Sequence, residues 1–158
     1  MEQILDLHIH SKYARACSPK LEIPNIAQAC LEKGIDIVAT GDFTHPKWFA
    51  HLEENLEEIG TSGLYKQKTT DNRQQTTIRF IFGTEVACIY KDKDKVRRVH
   101  HLLYAPSLEI AGNLNKALDD EGVNRSSDGR PIFGLIQGRG VTGCLRRSSR
   151  RFYIEAFR

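Results

Sequence analysis

The alternation of strand-like and helix-like segments predicts an α/β fold whose sheet is at least partly parallel. The opening stretch "EQILDLHIHS" shows the period-2 alternation of a strand. "IPNIAQACLEKG" then repeats apolar residues at helical spacing, and "IDIVATGD" is a continuous apolar run of the kind found in buried parallel strands. In such folds the functional side chains collect at the carboxyl ends of the strands.

Three predicted helices follow from the spacing of apolar residues and from the residues at their ends. The first places Ile26, Ala27, Cys30 and Leu31 on one face. Pro24 lies near its start and Gly34 just past its end. "HPKWFAHLEENLEEIG" predicts a second helix that continues through Ile59 and is closed by Gly60. "SLEIAGNLNKALDDEG" predicts a third, with Ser107 as its N-cap.

The middle of the chain predicts a loop followed by two strands. Residues 61–77, "TSGLYKQKTTDNRQQTT", are polar and indicate a loop. "IRFIFGTEVACIY" and "VRRVHHLLYAP" are strand-like and flank the charged tip "KDKDK". These two runs form either one long hairpin or two adjacent strands.

Composition indicates one soluble domain, which we expect to be cytoplasmic. The chain has 158 residues, of which 40% are hydrophobic and 27% charged, as is ordinary for a globular protein. It contains no apolar segment of about 18 residues that could span a membrane. The four cysteines, at positions 17, 30, 88 and 144, form no Cys-x-x-Cys pair, which argues against a disulfide framework or a zinc ribbon.

The positive charge is concentrated at the carboxyl end. The net charge is +3, yet residues 138–158 contain six Arg and one acidic residue, whereas residues 1–137 contain 17 basic and 19 acidic residues. The arginine-rich stretch is either an ordinary basic tail or sequence foreign to the fold.

Candidate ligands stand at the ends of successive predicted strands. They are Asp6, His8, His10, Asp42, His45, Glu85, His100 and His101. Imidazole and carboxylate donors suit Zn, Mn or Fe, and several of them together can hold more than one ion. Such a centre activates water and neutralises an oxyanion, as phosphoester hydrolysis requires. Each residue also has a structural alternative, such as helix capping by Asp42, and His51 is expected to be a surface residue.

Several of these strings carry a family resemblance. "DLHIHS", "TGDFTHPKWF", "GTEVACIY", "VRRVHHLLYAPS" and "SDGRP" resemble motifs of the PHP (polymerase and histidinol phosphatase) metal-dependent phosphoesterases. The similarity is greatest to the branch that includes endonuclease Q and helicase-associated proteins, and it covers about residues 1–135. It implies a seven-stranded β/α barrel, present here in part, whose strand ends hold two or three Zn or Mn ions.

The resemblance also implies roles for individual residues. His8 and His10 match the first ligand pair, Glu85 the glutamate that commonly bridges metals, and His100 the histidine of the next strand. Asp42 and His45 stand at the second motif. These two residues, together with Asp6 in the first motif and His101 beside His100, are further candidates in or beside the metal site. Asp128 and Arg130, within "SDGRP", are candidates for contacting a substrate phosphate or base.

The chain departs from the family pattern in two ways. Cys17 stands where many members have Asp, and no later histidine motif or Asp-x-His motif follows residue 101. We therefore expect residues 1–136 to be the amino-terminal part of a PHP-like domain with fewer metal ions. Residues 137–158 are expected to be a poorly ordered tail foreign to the fold.

Three functions remain open from the sequence. The first is a truncated hydrolase of DNA repair, a metal-dependent endonuclease that acts on DNA beside deaminated bases. The second is a catalytically inactive nucleic-acid-binding or helicase-associated module. The third is a phosphomonoesterase for small molecules, of the histidinol-phosphatase type.

Overall fold

The structure is a computed structural model that describes residues 2–68, 76–133 and 153–156. The strands are β1 (Leu5–Asp6), β2 (Ile37–Ala39), β3 (Leu56–Glu58), β4 (Tyr65–Gln67), β5 (Arg79–Asp92), β6 (Lys95–Ala105), β7 (Ile132–Phe133) and β8 (Tyr153–Ala156). The helices are α1 (Ile23–Lys33), α2 (Pro46–Asn55) and α3 (Leu108–Asp120). The predicted mixed α/β class is confirmed.

The sheet combines parallel and antiparallel pairing. Its main path runs β1-β2-β5-β4-β3, in which β1 pairs with β2 and β2 with β5 in parallel, whereas β4 pairs antiparallel with both β5 and β3. The predicted parallel component is therefore present. Because parallel strands point the same way, the carboxyl ends of β1 and β2 lie at one edge.

The strands β5 and β6 form one long antiparallel hairpin, which decides between the two arrangements that the sequence left open. Pairing continues without interruption from Phe82–Ala105 to Asp92–Lys95. Alternation gives this hairpin two faces. One face presents Phe82 and Val86 to the hydrophobic core, and the opposite face carries Glu85.

The core combines residues of the sheet with residues of all three helices. It includes Trp48 and Leu52 from α2, Leu114 from α3 and Ile23 from α1, each fully buried. Ser107 caps α3 as predicted, since its Oγ accepts a hydrogen bond from the Ile110 N–H at 3.2 Å.

Two details of the helix predictions are wrong. Helix α2 ends at Asn55 rather than near Ile59, because Leu56–Glu58 form β3 and pair with β4, which itself lies in the predicted loop. The strand pairing satisfies backbone groups that the helix would otherwise have used. In α1, Leu31 is 43% exposed, so the buried face of that helix is rotated away from it.

Part of the arginine-rich segment belongs to the described residues. Tyr153–Ala156 form β8, which pairs antiparallel with residues 101–104 of β6. Residues 134–152, 157 and 158 lie outside the described part, so the boundary at residue 136 stays a prediction. No helix in the described ranges is long and apolar enough to cross a membrane.

Candidate metal centre

The candidate ligands lie just beyond the carboxyl ends of the parallel strands. β1 ends at Asp6 and is followed by His8 and His10, while β2 ends at Ala39 and leads into the turn that holds Asp42. The strand β5 continues past its last pairing with β2, at Ile81, and carries Glu85 four residues later. The strand ends thus bring residues far apart in sequence to one place.

Glu85 is the centre of the cluster. Its side chain is only 3% exposed, and its Oε2 lies 3.3 Å from His8 Nε2 and 3.2 Å from His10 Nε2. The other oxygen, Oε1, lies 2.5 Å from His100 Nδ1 and accepts a hydrogen bond from Arg130 Nη1 at 3.4 Å. The structure therefore brings together His8, His10, Glu85 and His100.

The pairing of β5 with β6 explains why His100 meets Glu85. Glu85 is directly opposite Leu102, and His100 is two residues further along β6 on the same face. Diagonal neighbours of this kind lie within reach of long side chains. His101 points to the opposite face and cannot substitute for His100.

The geometry of three donors fits a bound metal ion. Ligand atoms of His8, His10 and Glu85 all lie within 4.8 Å of one another. Two ligands at about 2.0 to 2.1 Å in tetrahedral coordination are about 3.3 to 3.4 Å apart, close to the observed N···O distances. His8 is exposed and Glu85 is buried, so solvent reaches the site past His8.

Asp42 fixes the orientation of His10. Its carboxylate is fully buried, lies 2.9 Å from His10 Nδ1 through Oδ1 and accepts the Ser11 N–H at 2.6 Å through Oδ2. The hydrogen bond to Asp42 raises the pKa of His10, while burial opposes this shift. Because Nδ1 is occupied, His10 presents Nε2 to Glu85. Carboxylates that hold a ligating histidine in this way are common beside metals.

The turn that carries Asp42 is tightly constrained. Gly41 has φ +64°, and a Cβ there would lie 2.4 Å from the Ile9 carbonyl oxygen. Asp42 itself has φ +46°, a conformation that Asp tolerates better than most residues. Trp48 Nε1 donates to the Gly41 carbonyl at 2.8 Å. The turn is thereby locked against both the His10 segment and helix α2.

The loop at residues 127–131 closes the other side of the cluster. A Cβ on Gly129 would lie 2.4 Å from Asp42 Oδ2, so the glycine allows the loop to pack against that carboxylate. Asp128 Oδ1 accepts the Arg15 N–H at 3.1 Å, which ties the loop to the segment after His10. Of the two residues predicted to contact substrate, Arg130 thus faces the cluster, whereas Asp128 accepts a hydrogen bond from the backbone of Arg15.

Three other candidates lie apart from the donor group. Asp6 accepts the His8 N–H at 3.3 Å and is not among the converging donors. His45 is 95% buried and stacks on Tyr13, with ring centroids 4.3 Å apart, and burial lowers its pKa. Burial also lowers the pKa of His101, whose Nδ1 has no partner among the described residues.

The prediction that His51 is a surface residue is wrong. Its ring is partly buried and stacks on Trp48 with centroids 4.8 Å apart, and burial lowers its pKa. His51 Nε2 also accepts the Ile23 N–H at 3.5 Å, so this histidine connects α2 to the start of α1.

A cleft of about 370 Å³ opens beside the cluster. His8, Glu85 and His100 line one part of it, and Leu5, Asp6, Leu7, Leu102 and Tyr104 line the rest. Tyr104 donates its hydroxyl hydrogen to the Leu7 carbonyl at 2.9 Å, which joins β6 to the segment after β1. The donors therefore stand beside a largely apolar wall.

Sequence reasoning missed the residues that support the ligands. Ser11 acts through its backbone N–H, which no sequence pattern reveals. Gly129 and Trp48 lie in the unusual strings "SDGRP" and "TGDFTHPKW", whose length was the available signal, although spacing alone could not show what either residue touches.

Comparison with known proteins shows that this chain resembles two solved structures of endonuclease Q. No protein-family model matches the chain. A crystal structure of the lesion-specific endonuclease PfuEndoQ from Pyrococcus furiosus aligns with a TM-score of 0.73 and 27% identity, over 96% of this chain and 33% of that chain. Endonuclease Q in complex with a 27-mer duplex bearing an abasic lesion at the active site aligns with a TM-score of 0.66 and 33% identity, over 83% and 29%.

One curated relative also matches. It is the uncharacterized protein MJ0043 of Methanocaldococcus jannaschii, which is 33% identical over 147 residues. The match covers 84% of this chain and 15% of the relative, so the chain spans a small part of that protein and about a third of the two solved structures.

Proposed function

We propose that this chain carries the metal-binding part of a PHP-type phosphoesterase site that hydrolyses DNA at damaged positions. The observation that carries the proposal is Glu85, a buried carboxylate with two histidine nitrogens at 3.2 and 3.3 Å from one oxygen. The structural likeness to a lesion-specific endonuclease, and to one with an abasic duplex at its active site, supports the choice of substrate.

Each residue of the cluster has a role in this proposal. His8, His10 and Glu85 would hold a divalent ion, Zn or Mn by their donor types. Such an ion, when bound, lowers the pKa of water and neutralises charge on a phosphate oxygen. Asp42 keeps His10 Nε2 turned toward the site, and Arg130 stands where its guanidinium can bind a phosphate oxygen.

The cleft favours a damaged nucleotide as the ligand. Its volume of about 370 Å³ is at the small end of ligand pockets. The wall formed by Leu7, Leu102 and Tyr104 can contact the face of a base or sugar turned out of the duplex. Damaged or unpaired positions are the easiest to extrude, so lesions such as abasic sites, uracil and hypoxanthine are the proposed substrates.

The proposed fold context is a partial PHP-type β/α barrel. The parallel strands β1, β2 and the first part of β5, with α1 and α2 between them, have the strand-helix alternation of such a barrel. The alignment over 96% of this chain with a TM-score of 0.73 supports this assignment.

Titration of the purified chain with Zn²⁺ and Mn²⁺ tests the proposal directly. Isothermal titration calorimetry should show binding, and Glu85→Gln should lower the affinity by about 100-fold or more, since an amide is a poor substitute for a carboxylate ligand. Glu109→Gln makes the same chemical change at an exposed position of α3 and should leave the affinity unchanged. Equal affinities for both variants would refute the site.

A cleavage assay then tests hydrolysis. Duplexes that contain deoxyinosine, deoxyuridine or an abasic site are incubated with the metal-loaded chain, and strand scission is measured on denaturing gels. Scission that requires metal and is lost in Glu85→Gln establishes the hydrolase.

The second candidate function is a metal-binding DNA module without hydrolytic activity. It is favoured by the small number of converging donors, because the three that share a site among the described residues suffice for one ion. Lesion binding that depends on metal, without scission, would establish this second function instead.

A further inference from the structure

The β5–β6 hairpin continues well beyond the metal centre. Pairing runs on from Ala87–His100 through Ile89–Arg98 to Asp92–Lys95. Lys95 lies five residue steps from His100 on β6, which corresponds to about 17 Å of extended strand. This length equals half a turn of B-DNA.

The end of the hairpin is exposed and basic. Residues 93–98, which we name the hairpin arm, are all exposed and include Lys93, Lys95, Arg97 and Arg98 with a single acidic residue, Asp94. The remainder of residues 1–137 has 13 basic against 18 acidic residues. The arm is therefore a basic patch on an otherwise acidic part of the molecule.

Arg98 shares a strand face with the metal centre. It lies two residues from His100 on β6, and alternation places both side chains on the face that carries Glu85. Their backbone positions are separated by about 6.6 Å along the strand. Val96, the next residue on this face, is 60% exposed. A ligand that extends from the metal centre along this face toward the end of the hairpin would therefore reach Arg98 first after His100.

Three cations of the arm, Lys93, Lys95 and Arg98, are available for an external partner. Among the described residues, no ion pair or hydrogen bond engages the side chains of Lys93, Lys95 or Arg98. Alternation places Lys95 on the face opposite to Arg98, and Lys93 lies in the turn, so these cations surround the end of the hairpin. Exposed cations of this kind can contact the phosphates of a nucleic-acid backbone.

We propose that the hairpin arm binds the phosphodiester backbone of DNA that flanks the lesion, without regard to base sequence. This inference rests on the proposed function, since it names the contact that would hold DNA beside the metal centre. Arg98 would contact the phosphate nearest the centre, and Lys95 and Lys93, on the other face and in the turn of the hairpin, would contact phosphates around its end.

Fluorescence anisotropy with a 25-base-pair undamaged duplex, in EDTA, tests the arm without any metal chemistry. The triple variant K93Q/K95Q/R98Q should bind about tenfold or more weakly near 50 mM salt. The slope of log affinity against log salt concentration should fall by about 2 to 3, because each lost phosphate contact removes about 0.9. The matched control is K33Q/K47Q/K116Q, which removes the same charge at exposed positions of α1, α2 and α3.

The outcomes separate the arm from the metal site. A lowered slope in the arm variant, with the control near wild type, supports the arm even if the wild-type chain binds no metal and the proposed function fails. Equal losses in both variants would mean a general charge effect and would overturn the arm, as would an unchanged arm variant or a wild type that binds no DNA. Urea unfolding of the arm variant, with the wild-type midpoint expected, verifies that it is folded.

Discussion

The two faces of the β5–β6 hairpin place histidine in two different environments. On one face, His100 is exposed and lies 2.5 Å from the carboxylate of Glu85. On the other, His101 is partly buried, and burial lowers its pKa. Two adjacent histidines thus differ because alternation sends one to the cluster and the other toward the core.

In this hairpin, the alternation of side chains places residues that stabilise the core on one face and candidate metal ligands on the other. Phe82 and Val86 pack in the core and Thr84 meets Thr44 Oγ1 at 3.0 Å, all on the face opposite to Glu85. Changes on the core face should affect unfolding and leave ligand binding intact, whereas changes around Glu85 should do the reverse. The following variants test this separation.

The largest expected effect is on the core face. Phe82 is 1% exposed and packs against Tyr65 and Phe43, with ring centroids 4.6 and 6.4 Å away. Phe82→Ala should lower the free energy of unfolding by about 3 to 5 kcal/mol because it leaves a cavity. Urea denaturation measures this loss.

Metal affinity of the folded Phe82 variant should match wild type. If the alanine variant is too unstable to titrate, the milder Phe82→Leu serves. Weakened metal binding in a variant that remains fully folded would contradict the expectation that changes on the core face leave metal binding intact.

A smaller effect is expected where the 127–131 loop supports the cluster. Gly129→Ala places a methyl group 2.4 Å from Asp42 Oδ2, so either the loop or the carboxylate must move. We expect Zn²⁺ affinity to fall about 10- to 100-fold through misplacement of His10. Calorimetric titration provides the measurement.

Gly112→Ala is the matched control for this substitution. Its new Cβ would meet only Phe49 Cζ, at 3.7 Å, and the position lies within α3, so stability should rise by about 0.5 to 1 kcal/mol. Unchanged Zn²⁺ affinity in Gly129→Ala would show that the 127–131 loop does not hold Asp42 in position for His10.

The histidine pair gives the sharpest comparison of the faces. His100→Ala removes the contact to Glu85 Oε1 and should lower metal affinity about tenfold. His101→Ala should leave metal affinity unchanged and alter only the urea midpoint. Equal effects of the two variants on metal affinity would indicate that the face on which each histidine lies does not decide whether it contributes to metal binding.

The smallest expected effect concerns acid stability away from both faces. Arg125 donates to both oxygens of Asp119, at 2.8 and 2.6 Å, and lowers the pKa of that carboxyl. A lowered folded-state pKa stabilises the protein above the unfolded pKa, and the contribution is lost as pH falls below about 4. Asp119→Asn should remove up to about 1 kcal/mol at pH 7, since the carboxylate is 56% exposed, and less at pH 3.

Urea unfolding at the two pH values checks this ion pair. A stability loss that is the same at pH 7 and pH 3 would mean that the Asp119 charge does not contribute.

The sequence predicted the elements better than their boundaries. Apolar spacing identified α1, α3 and the buried strand β2 because each pattern is local. It extended α2 too far, since Leu56 continues the helical spacing and only its tertiary pairing with Gln67 makes it part of a strand. Local periodicity cannot detect a competing partner eleven residues away along the chain.

The candidate ligands were recognisable from residue type and position at strand ends, but their contacts were not. His8 and Glu85 are separated by 77 residues, and only the folded register brings them to 3.3 Å. The sequence could not show that Arg130 contacts Glu85 while Asp128 binds the Arg15 N–H, because that difference depends on the path of the loop.

The most direct test of the account is the position of a bound metal ion. Crystals of the chain grown with Zn²⁺ or Mn²⁺ would be measured at the absorption edge of the metal. We expect an anomalous peak about 2.0 to 2.3 Å from His8 Nε2, His10 Nε2 and a Glu85 oxygen. No peak between these residues at saturating metal, with Glu85 still in direct contact with His8 and His10, would contradict the proposed metal centre.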